Sequence, residues 1–257
     1  MSQAKQSEWS EQWTLFQDEE AFLFNEWIQP YALEDLRGKS VLECGCGGGQ
    51  HTGFMAPYAA SVTAVDLNTT QIARERNAQF NNIEFVEADI AAMDLGRQFD
   101  VVISIGVVHH TDDPDATVAN LKRHVKPGGL LILWVYSAEG NAMVKYGVEP
   151  VRKLLLTPLS RPALMRVSQI VTALMYPFIY TIYLLPLRFL PFYAYFGNFR
   201  KLGFARNVLN VFDKLNAPQV DFISRPRAQG WVADMDKATV LPYMGVSHSV
   251  SGVRRDG

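Results

Sequence analysis

Val41-Leu42-Glu43-Cys44-Gly45-Cys46-Gly47-Gly48-Gly49-Gln50 runs from a β-rich stretch through a glycine turn into a helical pattern. Glycines at such a junction let the backbone turn sharply and approach a ligand without side chains in the way. A tight strand-to-helix connection with no ligand looks the same locally, so the flanking sequence has to decide. Around the turn, β-rich runs at Ser40–Cys44, Ser61–Leu67, Asn82–Ala88, Phe99–Ile105 and Leu130–Tyr136 alternate with helical stretches at His51–Ala59, Thr69–Phe80 and Asp115–His124. That alternation predicts a parallel sheet covered on both faces. Ligands of doubly wound sheets bind beyond the C-terminal ends of the strands, so site residues belong where each run stops.

The second run, Val62-Thr63-Ala64-Val65-Asp66-Leu67, closes on an acid whose carboxylate suits the two hydroxyls of a ribose. A dinucleotide fingerprint requires G-x-G-x-x-G or A. Counted from Gly45 the last position is Gln50, and counted from Gly47 it is Thr52, so neither register fits. Glu43, just before the loop, would oppose a pyrophosphate yet attract an ammonium. The ligand these residues describe is a nucleoside carrying an amino-acid cation.

From Gly38 to Ser137 the chain resembles the class I S-adenosylmethionine-dependent methyltransferases, in the group of small-molecule methyltransferase domains. The resemblance rests on several motifs in order: Glu43-x-Gly45-x-Gly47-x-Gly49, Asp66, Glu87-Ala88-Asp89-Ile90, Phe99-Asp100-Val101-Val102, Ser104-Ile105-Gly106-Val107-Val108-His109-His110 and Lys126-Pro127-Gly128-Gly129. It implies S-adenosyl-L-methionine as cofactor and S-adenosyl-L-homocysteine as product. It also implies that Glu43, Gly45, Cys46 and Gly47 hold the amino-acid end, that Asp66 and Leu67 meet the ribose, that Asp89 and Ile90 meet the adenine, and that Ile105 and Gly106 floor the pocket. The implied fold is α/β, a Rossmann-like doubly wound, mostly parallel seven-stranded sheet with a helical insertion, or lid, after strand 5. Residues 1–37 would form helices covering the cofactor site, 38–140 the cofactor-binding core, 141–206 the insertion, and 207–257 a helix at Arg225–Lys237 with two last strands at Thr239–Met244 and Ser247–Val253.

Methyl transfer from a sulfonium asks mainly for alignment and exclusion of water, and for a base only where the acceptor starts protonated. His109 and His110 follow the fourth strand and are the candidates for such a base; their alternative role is to line the pocket or cap the helix near Thr111-Asp112-Asp113-Pro114. The strand end reads Ser104-Ile105-Gly106-Val107, where the family's amine-gathering form has an Asn/Asp-Pro-Pro-Tyr or Phe tetrad, which disfavours nucleobase amines as acceptors. Tyr136 ends the fifth strand on the same rim. His51, behind the glycines, reads as a packing residue. Asp112, Asp113 and Asp115 suit a helix start. With only Cys44 and Cys46 and no clustered histidine pair, no structural metal site is expected.

The chain has 257 residues, 48% hydrophobic and 19% charged, with 24 Lys+Arg against 26 Asp+Glu, so disorder and nucleic-acid binding are disfavoured. Two cysteines and a polar N-terminal stretch suit a reducing cytoplasm. Upstream of the sheet, Glu8–Leu36 carries Trp13, Phe16, Phe22, Phe24, Trp27 and Ile28 at helical spacing. Residues 145–206 hold 9 Lys/Arg and 1 Asp/Glu (9 − 1 = +8), and Val167–Leu187 has no charge at all. A single crossing of a bilayer there would separate residues 212–253 from the sheet they must join, and Pro177 and Pro186 are expected to break the segment into pieces. A helical lid over a hydrophobic acceptor, touching an anionic membrane peripherally at its inner face through residues 145–206, fits this composition; a dimer interface is the alternative. The resulting expectation is an S-adenosylmethionine-dependent methyltransferase acting on an apolar or amphiphilic small molecule. A non-catalytic nucleotide-binding or scaffold protein of the same fold and an NAD-type oxidoreductase are its competitors.

Overall fold

A computed structural model describes residues 21–156, 159–216 and 220–256. Trp13, Phe16 and the side chain of Lys153 lie outside the described residues. The chain divides into two units. One comprises residues up to Tyr136 with Ile223–Leu241 and from His248 on; the other comprises Ser137–Phe222 with Pro242–Ser247.

The first unit is built on seven strands: β1 (Ser40–Cys44), β2 (Ser61–Asp66), β3 (Ile83–Glu87), β4 (Phe99–Ile105), β5 (Val125–Tyr136), β6 (Asp236–Tyr243) and β7 (Ser247–Val253). They lie in the order β3-β2-β1-β4-β5-β7-β6. The pairings β3–β2, β2–β1, β1–β4 and β4–β5 are parallel, with Glu43 beside Ala64 on one side and Ile103 on the other. β7 runs against β5: Gly128 and Arg254 bond across one end and Ser137 and Val246 across the other. The sheet is therefore mixed, with its parallel part carrying the glycine turn. Val41–Cys44 and Leu130–Val135 are continuously buried, as central strands covered on both faces require.

Most boundaries other than those of β1, β4 and β7 differ from the sequence reading, two of them the most. β5 starts at Val125, which already pairs with Phe99, and Lys126–Gly129 bulges opposite Asp100 before Leu130 pairs with Val101. The last helix ends at Val232, and Asp236–Lys237 already belong to β6.

Helices α1 (Ala21–Trp27), α2 (Gln50–Met55), α3 (Thr70–Arg76), α4 (Pro114–Arg123) and, after the second unit's helices, α8 (Arg225–Val232) cover the sheet. Asp113 caps α4 by accepting from Ala116 N (3.0 Å), with Pro114 at the first helical position. Asp115 in turn receives Arg227 bidentately and the indole N–H of Trp231, clamping α8 to α4. The core between these helices and the sheet contains Leu42, Val65, Val102, Leu121, Leu133 and Val250.

In the second unit, α5 (Arg161–Ile179), α6 (Tyr193–Phe199) and α7 (Phe204–Asn216) pack around Ile179, Phe199 and Val211. Asn207 ties them, its amide donating to Phe199 O (2.8 Å) and Tyr176 Oη (3.0 Å). The stretch 144–156 is π-wound at Val144–Val148 and Arg152–Leu156 around a single α-turn. Pro177 does not break α5, contrary to expectation. It sits inside the final turn and the helix stops two residues later, where few hydrogen bonds remain to be lost. Pro186 lies beyond a short 3-10 turn, Ile182–Leu184. Among the described residues, no helix is long and apolar enough to cross a membrane.

Candidate functional site

The glycine turn is held on both sides. Gly45 N and Cys46 N both donate to Val65 O (2.8 and 3.0 Å), and Gly47 N donates to Asp66 Oδ2 (2.9 Å). From the other side, Arg76 donates to Gly48 O (2.7 Å) and Asn77 to Gly49 O (2.8 Å). Gly45 adopts φ 83°, and a Cβ there would stand 2.5 Å from Val107 Cγ2, so only glycine satisfies both the backbone and the neighbour. The turn thus fastens β1 to the end of β2 and to α3, and leaves its inner edge open.

Against that edge lies a cavity of about 220 Å³. Of the residues expected at a cofactor site, Gly45, Gly47, Asp66, Leu67, Asp89, Ile90 and Gly106 line it, as does His110. Sequence reasoning missed Asn68, Ala88, Ala91, Val107, Thr111 to Asp113 and Ala116. Val107 and Thr111 to Asp113 flank His110 in the connection after β4, so the principle of searching strand ends covers them, and Ala116 lies in the first turn of α4. Their inward direction is set by a 3-10 turn at Val108–His110 that has no clear sequence signal.

The wall carries four carboxylates, Asp66, Asp89, Asp112 and Asp113, and no lysine or arginine among the described residues. Asp66 accepts from Gly47 N and, at 3.4 Å, from Asn68 N; Asp89 Oδ1 accepts from Ala91 N (2.9 Å). Backbone amides therefore fix both acids at the rim. Such a field stabilises a cation and repels a diphosphate.

Three residues expected at the cofactor site stand outside this wall, as does His109. Glu43 is 3% exposed and accepts from Thr52 Oγ1, with His51 Nδ1 4.0 Å away. Burial pushes its carboxyl up to about 7, the Thr52 hydrogen bond opposes this, and Asp66 adds to it. Cys46 is buried and packs in a cluster with Ala64 and Ala73. Burial first, and the nearby acids second, push the Cys44 and Cys46 thiols well up, away from nucleophilic chemistry. Ile105 is buried in β4 behind Gly106.

His109 is fully buried. Its ring lies 4.2 Å from that of His110 and 4.4 Å from that of Tyr136. Ring contacts continue from Tyr136 to Trp134 (5.4 Å), Trp27 (5.1 Å) and His51 (5.7 Å), then to Phe24 (5.0 Å). His51 accordingly packs between α1 and the glycine turn, whereas His110 faces the cavity. Ile223 N donates to Tyr136 O (2.9 Å), so the chain leaves the core and rejoins it at one point on the strand-end rim.

Residues 42–133 match the family described as "Methyltransferase domain". A ubiquinone biosynthesis O-methyltransferase of Pseudomonas fluorescens (strain Pf0-1) is 33% identical over 128 residues, covering 47% of this chain and 55% of that protein. An uncharacterized protein of Synechococcus is 32% identical over 143 residues, covering 50% of this chain and 34% of that one. The chain therefore spans about half or less of the length of these relatives. Among solved structures, magnesium protoporphyrin IX methyltransferase from Synechocystis superposes with a TM-score of 0.51 at 14% identity, covering 95% of this chain and 84% of that one. An O-methyltransferase family protein from Burkholderia thailandensis gives 0.53 at 15%, covering 92% and 57%. At such identities the two structures establish the fold.

Proposed function

Because residues 42–133 form a class I S-adenosylmethionine-dependent methyltransferase domain, we propose that this chain transfers a methyl group to an apolar or amphiphilic small molecule. The observation that carries the reading is the cavity wall, with four aspartates and no described cation, beside a glycine turn. S-adenosylmethionine supplies an activated methyl on a sulfonium, and its positive charges suit this wall where a diphosphate does not.

The residues divide the work by position. Gly45 and Gly47 leave backbone next to the amino-acid end, and Glu43 lends it negative potential from behind the turn. Asp66 meets the ribose hydroxyls with Leu67 alongside. Asp89 takes the adenine amino group, and Ile90 packs on the ring. His110, in the wall, accepts the acceptor's proton. His109, in a tilted ring contact with His110, and Tyr136, edge-on to it, hold that ring in place, and His109 is a positioning residue.

The aromatic run Trp27–Trp134–Tyr136, in ring contact with His110 though outside the described cavity lining, supports a flat apolar acceptor over a charged one. The name of the Pseudomonas relative, a ubiquinone biosynthesis O-methyltransferase, supports an oxygen acceptor. Residues 145–206 contribute a peripheral contact with anionic membrane: Tyr146, Leu154, Leu174 and Phe189 are between 65% and 80% exposed in the block of net charge +8.

Calorimetric titration separates the cofactor classes. S-adenosylhomocysteine should bind and NAD should not; NAD binding with no S-adenosylhomocysteine binding would overturn the assignment for this chain. Turnover of hydroxylated aromatic acceptors, lost in His110→Ala with S-adenosylhomocysteine affinity retained, tests the transfer step. Co-flotation with anionic vesicles, weakening with salt, tests the membrane contact.

A further inference from the structure

The second unit contains its own cavity, of about 370 Å³, walled by Met143, Val144, Val148, Val151, Leu156 and Phe192, with Gly147 and Leu215 completing the described lining. None of these residues has a polar side chain, so water entering the space finds few partners while hydrocarbon loses nothing. Its size falls in the range of small-molecule pockets.

Three uncommon backbone features meet at this wall. Val144–Val148 and Arg152–Leu156 are both π-wound, a geometry that widens the helix and recurs at functional sites. Phe192 takes φ 58°, a left-handed conformation that bulky side chains avoid unless the surroundings impose it. At the rim, Met143 and Val151 are 59% and 51% exposed, so apolar surface continues from the cavity into solvent.

Charge selects the head group of whatever enters. Residues 145–206 hold nine Lys/Arg and one Asp/Glu, and that one acid, Glu149, is paired with Arg152 at 3.4 Å. Lys145, next to the lining residue Val144, is exposed, with its ammonium 5.5 Å over the Tyr146 ring. We propose that this cavity binds the hydrocarbon chain of a single-chain anionic amphiphile, a fatty carboxylate or an alkyl phosphate, with its head beside Lys145. This site is independent of the methyl-transfer reading.

Gly147 provides a clean test. A Cβ there meets nothing within 4 Å and its φ is ordinary, so Gly147→Phe adds a ring at the cavity lining without displacing backbone. The full chain is titrated with cis-parinaric acid, below its micelle concentration, by probe fluorescence. Wild type should bind saturably, Gly147→Phe should weaken binding about tenfold or more, and thermal melting and S-adenosylhomocysteine affinity should stay as in wild type. Dodecyl phosphate should displace the probe better than dodecanol, and Lys145→Glu should erase that preference. Absence of saturable binding to wild type, or equal affinity in Gly147→Phe, would overturn the proposal; the second result would mean adsorption on exposed side chains. Because S-adenosylhomocysteine binding is read in the same samples, failure here is distinguishable from failure of the methyltransferase assignment.

Discussion

The amide of Gly47 donates to Asp66 Oδ2 at 2.9 Å, so the acid that ends β2 also holds the turn that follows β1. Asp66 thus has two tasks, fixing the loop and presenting a carboxylate to the cavity. Asp66→Ala removes both. Hydrogen bonds to charged groups contribute about 1.5–3 kcal/mol, which corresponds to a loss of roughly ten- to a hundredfold in affinity for S-adenosylhomocysteine. Asp66→Asn retains an oxygen for Gly47 N and should retain more of the melting temperature than of the affinity. Calorimetry together with thermal melting resolves the two tasks; unchanged affinity in both variants would remove Asp66 from the ligand site.

Gly45 and Val107 exclude each other's growth, with a Cβ on Gly45 falling 2.5 Å from Val107 Cγ2. Gly45→Ala should therefore destabilise by the left-handed backbone penalty, about 1–2 kcal/mol, plus the clash. Val107→Ala removes the two nearest methyls but leaves its own Cβ 2.9 Å away, so it should recover part of the clash and none of the backbone penalty. In urea unfolding, the double variant should be less destabilised than the sum of the singles. Strict additivity would mean that Val107 is not what confines Gly45.

Strand ends were legible because alternation of β-rich and helical runs is local. β1, β4 and β7 have the boundaries their residues predict, and Gly45, Asp66, Asp89 and Gly106 meet around one cavity because parallel strands bring their C-terminal ends together. What stayed hidden depends on contacts far apart in sequence. The Asp115 clamp on Arg227 and Trp231 joins residues more than a hundred positions apart. The inward turn of Val107 and Asp112 depends on a three-residue helix. The π winding of 144–156 has no periodic signature, since apolar residues there face both a cavity and solvent.

Phe99-Asp100 and Lys126-Pro127 resembled family motifs, and they lie at the sheet end opposite the cavity. Asp100 accepts from Lys126 Nζ (2.8 Å) and from Ser40 N and Oγ (2.8 and 2.6 Å), joining β4, β5 and β1. Burial alone would raise its carboxyl, but the Lys126 and Ser40 hydrogen bonds outweigh burial and bring it down to about 2. Since the folded value lies below the ordinary 3.8, the contribution to stability is present above pH 3.8 and is lost as pH falls toward 2. Both side chains are over one-third exposed, which screens the pair and keeps its worth under about 1 kcal/mol. Asp100→Asn should lower the melting temperature at pH 7 and leave it unchanged near pH 2; an equal loss at both would assign the effect to packing.

Glu43 titrates in the opposite sense. Its buried carboxyl holds a proton up to about pH 7, whereas in the unfolded chain it releases it near 4.5. Folding therefore favours the protonated form, so stability from this group is greatest below 4.5, declines as pH rises to about 7, and is flat beyond. At about 1.4 kcal/mol per pKa unit the decline is on the order of 3 kcal/mol. Glu43→Gln keeps the size and cannot ionise, so urea unfolding from pH 4.5 to 8 should show the difference, wild type minus variant, falling over that interval. A bound sulfonium with an ammonium would favour the ionised carboxylate and offset the desolvation. Saturating S-adenosylmethionine should then flatten the wild-type slope, and its binding at pH 6 should release protons, read as a dependence of calorimetric heat on buffer ionisation. Parallel profiles for wild type and Glu43→Gln would show that the carboxyl does not titrate where its burial places it.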